Sequence, residues 1–161
     1  MKDDASGANA APRPSPLAPQ TSIEVAAGLV LRNGLLLLTQ RPTGGHLGGL
    51  WEFPGGKREP HETFEECLHR ELREELGIEV EVQELVESIT HDYPEWTVHL
   101  RFFRCRWVRH EPQPLGCPAL AWVDRQGLAR YQFPPADARL LDKLRQTPDL
   151  WGQGSAGAKS R

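Results

Sequence analysis

The chain has 161 residues, with 19 Lys plus Arg against 22 Asp plus Glu, a formal charge of −3 and 39% hydrophobic residues. That is the composition of one soluble globular domain, not basic enough to coat nucleic acid, and no apolar run is long enough to span a bilayer. Cys67, Cys105 and Cys117 form no C-x-x-C pair, so neither a zinc knuckle nor a disulfide framework is expected. Three free, buried thiols suit a reducing cytoplasm, and with an acidic start and no apolar h-region no secretory signal is expected.

Residues 1–22 hold five Ala, four Pro and three Ser, with Met1 and Leu17 as their only large apolar side chains. Such a segment cannot bury enough surface to offset its ordering entropy, so a disordered tail is expected. The end, residues 151–161, is expected to be a second tail because small and polar residues dominate it. A folded domain over 23–150 remains. Residues 23–31 and 35–39 are apolar runs flanking Asn33-Gly34, a pair that accepts the positive φ angles of a tight turn, and predict a β-hairpin. The glycines at 44, 45, 48, 49, 55 and 56 predict a loop. Thr63-x-x-Glu66 is a capping box that starts a helix over 63–76, and Gly77 ends it. Strands are expected at 78–82, 85–90 and 120–123, with 97–108 forming one long strand or two. Residues 124–131 predict a helical turn. Pro135 predicts the first turn of a last helix whose buried stripe is Leu140, Leu141 and Leu144. The result is an α/β (α+β) domain, a mixed sheet with at least two helices.

The first helix carries the chemistry. With Glu71 at zero on a helical wheel, Phe64, Cys67 and Leu68 lie within about 60°, and Glu75 falls at about 40°. Glu71 and Glu75 therefore occupy the stripe that an ordinary amphipathic helix keeps apolar. They are also like charges at i, i+4, which repel. Residues 62–75 contain six acids and two arginines, a local charge of −4. Burial pushes such carboxylates toward the neutral form, and a hard divalent cation removes that cost. From the residues alone, a solvated charge run and a metal site both stay open. Arg70 can reach a carboxylate one turn away, or Glu62, and hold a ligand in place.

Gly56, five residues, Glu62, seven residues, then Arg70-Glu71-Leu72-Arg73-Glu74-Glu75-Leu76-Gly77-Ile78 meets nine constrained positions over 23 residues. This pattern resembles the Nudix box, and the chain resembles the Nudix hydrolases. The resemblance implies the Nudix fold, a mixed β-sheet sandwiched between α-helices. It also implies Mg²⁺-dependent hydrolysis of a nucleoside diphosphate linked to another group, with Mn²⁺ as a substitute. Carried over by position, Glu71, Glu74, Glu75 and the Gly56 carbonyl would bind metal. Glu71, Glu74 and Arg70 would be catalytic, with Glu62 in support. Gln40-Arg41-Pro42, residues 51–57 and Phe133-Pro134-Pro135-Ala136-Asp137 further resemble the MutT-like branch, which clears oxidised guanine nucleotides. That likeness implies a substrate set of Arg41, Phe53, Gly55, Lys57 and Asp137. Arg41 and Lys57 would sit at phosphates, the Phe53 backbone at the nucleoside and Asp137 at the base.

Two positions depart from the branch. Asp137 stands where Asn reads the base. An ionised Asp only accepts hydrogen bonds, so it would accept from the N7–H of 8-oxoguanine and repel the N7 acceptor of guanine. It would equally accept from the N4 amine of cytosine. Ala121 stands where a further glutamate binds metal, leaving that role to Glu52, Glu95 or water. The expected activity is pyrophosphohydrolysis of 8-oxo-dGTP to 8-oxo-dGMP and pyrophosphate, a nucleotide-pool sanitising step in mutation avoidance. The alternatives are the same reaction on CTP, dCTP or oxidised pyrimidine nucleotides, and a non-catalytic oxidised-guanine recognition module like the C-terminal domain of adenine glycosylases. The expected partner is a nucleoside triphosphate, with no stable nucleic-acid partner, no membrane, a monomeric state and a cytoplasmic location.

Overall fold

The computed structural model describes residues 21–152. The tail expectations for 1–20 and 153–161 lie outside the described residues. Seven strands and two α-helices follow in order: β1 (Thr21–Arg32), β2 (Leu35–Gln40), β3 (Trp51–Glu52), β4 (Gly55–Lys57), α1 (Phe64–Leu76), β5 (Glu79–Asp92), β6 (Trp96–Arg109), β7 (Leu120–Val123) and α2 (Ala138–Gln146). No helix among the described residues is long and apolar enough to cross a membrane.

β1 is the central strand, and its sequence shows why. Ala26 and Val30 pack on the α1 side of the sheet, while Ala27, Leu29 and Leu31 pack on the α2 side. A strand buried on both faces reads as a continuous apolar run, as residues 25–31 do. The cluster with α1 adds Cys67, Leu68, Leu72 and Leu76; the cluster with α2 adds Leu140, Leu141 and Leu144. The sheet is thus covered by a helix on each face. Its path runs β3-β2-β1-β6-β5, with β4 paired to β1 and β7 to β2. β1 and β6 are parallel, and β5 and β6 antiparallel.

The predicted hairpin turns at Asn33 (φ 54°) and Gly34 (φ 79°). Its register pairs are Leu31 with Leu36 and Arg32 with Leu35, after which β2 turns to β7 and leaves one edge of β1 open. β4 fills that edge, pairing Val25, Ala26 and Ala27 with Lys57, Gly56 and Gly55. This splay brings the glycine-rich chain beside α1, and it positions the site.

Four expectations are corrected. Trp51–Glu52 and Gly55–Lys57 are strands where a loop was predicted. They are held by pairing to distant strands, which local propensity does not register. Residues 78–82 and 85–90 are one strand, β5, because register shifts near Leu85 absorb the polar break. The last helix starts at Ala138, with Pro135 opening a short 3-10 turn before it. Finally, the domain is wider than 23–150. Thr21 and Ser22 pair with Trp96 and Thr97, and Trp151 is buried against α2 with its Nε1 donating to the Leu144 carbonyl at 2.9 Å.

Candidate active site

Local capping fixes the acid-bearing helix. The Thr63 hydroxyl accepts from the Glu66 amide at 3.0 Å, and the Glu66 carboxylate accepts from the Thr63 amide at 2.9 Å. Such a cap contributes on the order of 1 kcal/mol. Gly77 closes the helix at φ 71°, a left-handed angle that glycine takes without strain.

On this helix Arg70 is the hub of the hydrogen bonds around the acids. It grips Glu62 with two donors at 3.0 and 2.6 Å, donates to Glu71 Oε2 at 3.0 Å and donates to the Lys57 carbonyl at 3.1 Å. This contact holds Glu62 down to about pKa 2. Glu71 is 16% exposed, and its carboxyl is pushed up by burial despite Arg70. It lies flush against Gly56, where any Cβ would overlap its carboxylate. A side chain at this position would displace the Glu71 carboxylate. The Cys67 thiol donates to the carbonyls of Gly56 and Lys57 at 3.5 Å, and burial pushes that thiol up to about 12, so it remains a donor.

Glu75 lines a cleft of about 610 Å³. Burial, then repulsion from Glu71, Glu52 and Glu74, pushes its carboxyl up to about 8. Glu74, by contrast, is 61% exposed and meets Arg70 at 3.5 Å. No three His, Cys, Asp or Glu side chains among the described residues converge tightly enough to enclose an ion. The chemistry of the set nevertheless fits a hard cation. Its donors are oxygens, and the buried negative charge at Glu71 and Glu75 pushes both toward the neutral form.

The same cleft gathers the expected substrate residues Arg41, Phe53, Gly55, Lys57 and Asp137 together with Gly56. Its floor is one face of the sheet: Ile23 and Val25 of β1, and Val98, Leu100 and Phe102 of β6. Phe53 is buried, stacked on Phe133 at 5.3 Å and edge-on to Phe102 at 5.9 Å. Asp137 precedes α2 in the N-cap position, yet its side chain makes no capping bond and is spent on the cleft. It is 6% exposed, and burial reinforced by Glu52 pushes it up to about 7.

Glu52 entered the sequence reading only as a replacement for a missing acid. The structure places it in the cleft, paired with Arg41 at 2.8 Å, pushed up by burial and within the field of both Glu75 and Asp137. Ala121 packs against the core beside β2, and Glu95 is exposed at the β5–β6 turn. His46, Tyr93 and Trp96 also line the cleft and were not anticipated; an aromatic pair flanking the turn Pro94-Glu95 was the available signal. Cys67, Cys105 and Cys117 are free thiols.

A mixed sheet between two helices, with the acid-bearing helix against a Gly-Gly strand, defines a hydrolase class, and the chain belongs to it: the NUDIX domain family matches residues 26–143. Within that family it is similar to the CTP pyrophosphohydrolase of Escherichia coli K12, 41% identical over 120 residues, 74% of this chain and 89% of the relative. It is similar also to the 8-oxo-dGTP diphosphatase of Haemophilus influenzae, 38% identical over 126 residues, 76% of this chain and 90% of that one. The solution structure of the E. coli ORF135 protein superposes with a TM-score of 0.64 at 38% identity, covering 80% of this chain and 91% of the other.

The Arg70 contacts carry a direct prediction. Arg70→Ala frees Glu62 and Glu71 together and is expected to lower kcat/KM by about 10- to 100-fold, the usual effect of losing a group that orients a ligand. Arg70→Lys is expected to stay low, because one ammonium cannot reproduce a fork that spans both carboxylates. Steady-state assays on the two variants check this.

Proposed function

We propose that the chain hydrolyses 8-oxo-dGTP to 8-oxo-dGMP and pyrophosphate in the cytoplasm. The observation that carries this reading is one cleft with a buried acid, Asp137, among its apolar walls and the Gly56-Lys57-Glu75 group on its rim. Glu71, Glu74, Glu75 and the Gly56 carbonyl would hold Mg²⁺, or Mn²⁺ in its place. When bound, the cation offsets the repulsion between triphosphate and carboxylates and makes the attacking water more acidic. Lys57 and Arg41 supply the remaining positive charge to the phosphate oxygens. Arg70, anchored on Glu62, fixes Glu71 against Gly56 so that the carboxylate is ordered before substrate arrives. The apolar floor takes up the nucleoside, and Asp137 tests the base edge. As a carboxylate it accepts from N7–H of the oxidised base and meets an acceptor on the normal one.

A second reading, hydrolysis of CTP or dCTP, is favoured by the 41% identical relative that bears that name, and by the match between a carboxylate acceptor and the cytosine amine. Pyrophosphate release from 8-oxo-dGTP, dGTP and dCTP decides between them. The highest specificity constant is expected for 8-oxo-dGTP; the highest for dCTP transfers the conclusion to the second reading.

A further inference from the structure

We infer that Trp96 is the stacking platform for the nucleobase, a residue that sets nucleotide affinity without choosing the base; this rests on the cleft being a nucleotide site. Trp96 opens β6 and lies on the same face as Val98, Leu100 and Phe102, so it is the outer end of the cleft floor. Its position is braced from two sides. The Tyr93 amide donates to the Trp96 carbonyl at 2.8 Å, closing the turn, and the two rings sit 5.7 Å apart. From the opposite loop, His46 packs edge-on against both Tyr93 and Trp96, each at 4.9 Å. That loop is tied in turn by Arg41 Nε to the His46 carbonyl at 3.0 Å and by Gln40 Nε2 to the Gly49 carbonyl at 3.1 Å.

A ring held in place before binding loses little freedom when a base stacks on it. The indole face accepts any base, because every base has a π surface. The group that can tell one base edge from another, Asp137, lines the same cleft but is not part of this aromatic cluster. Affinity and choice are therefore assigned to different residues.

Trp96→Ala and Trp96→Phe, assayed with 8-oxo-dGTP and dCTP, test the assignment. Trp96→Ala is expected to raise KM for both nucleotides by roughly 5- to 150-fold, with a far smaller fall in kcat and no change in the ratio of specificity constants. Trp96→Phe is expected to restore most of the affinity. Titration with 8-oxo-dGMP is expected to change the tryptophan fluorescence of the unmodified protein and to lose that response in Trp96→Phe, which serves even if the alanine variant does not fold. An unchanged KM in Trp96→Ala, an altered substrate ratio, or a fluorescence response that survives in Trp96→Phe overturns the inference. An unmodified protein that hydrolyses neither nucleotide overturns the proposed function instead, and the fluorescence titration still judges Trp96.

Discussion

Glu75→Gln is expected to stabilise the protein while nearly abolishing its activity. Glu75 is pushed up to about 8 from an ordinary 4.5, by burial first and then by Glu71, Glu52 and Glu74. A carboxyl whose folded-state pKa lies above its unfolded value opposes folding once it ionises. That opposition is absent below pH 4.5, grows as pH rises toward 8 and is complete above it. Glutamine keeps the shape and removes the charge. Without divalent cation, the variant's Tm is therefore expected to match the parent's near pH 4 and to exceed it by several degrees at pH 8, at roughly 2–8 °C per kcal/mol for a domain of this size. Activity moves the other way. Removing a positioned charged group of the cleft is expected to cut kcat/KM by on the order of 10²- to 10⁴-fold. Thermal melts across pH, run beside the pyrophosphate assay, read both effects. A variant that is less stable at pH 8, or fully active, contradicts the role given to Glu75.

Asp137→Asn is expected to change substrate choice and to remove its dependence on pH. Burial and Glu52 push Asp137 up to about 7. Below that pH the neutral acid carries a proton that it can donate to N7 of guanine; above it the carboxylate only accepts. Preference for 8-oxo-dGTP over dGTP should accordingly rise as pH passes through 7. Leaving a buried acceptor facing an acceptor costs about 1–3 kcal/mol, so the expected swing in the ratio is roughly 5- to 150-fold. Asparagine presents a donor and an acceptor at every pH, so the ratio should differ from the parent's and should no longer vary with pH. A ratio in the parent protein that does not move between pH 6 and 8, or one that Asp137→Asn leaves unchanged, would take Asp137 away from the base.

What could be read in advance follows from how local each signal is. The Thr63–Glu66 box, Gly77 and Asn33-Gly34 act within a few residues, and the structure has the helix and the turn where they predict. β3 and β4 draw their order from β1 and β2, far along the chain, so their glycines looked like a loop. Trp151 sits beside a run of small polar residues, and only the α2 surface makes it core. In the site, the acids of α1 announce themselves by their wrong position on the wheel and by a dense motif. Glu52 has no such local mark, and Tyr93 and Trp96 have only their place on either side of Pro94-Glu95. They become neighbours of Asp137 only when β2, β3, β5 and β6 are assembled.

The proposed mechanism requires that α1 and the Gly56 carbonyl of β4 together form an oxygen site for a divalent cation. The direct measurement is a Mn²⁺ titration of the purified protein followed by the loss of free-ion electron paramagnetic resonance signal, repeated with Glu71→Gln and Glu75→Gln. Saturable binding by the parent protein that weakens in both variants is the predicted outcome. No binding, or binding equal in all three proteins, would contradict it.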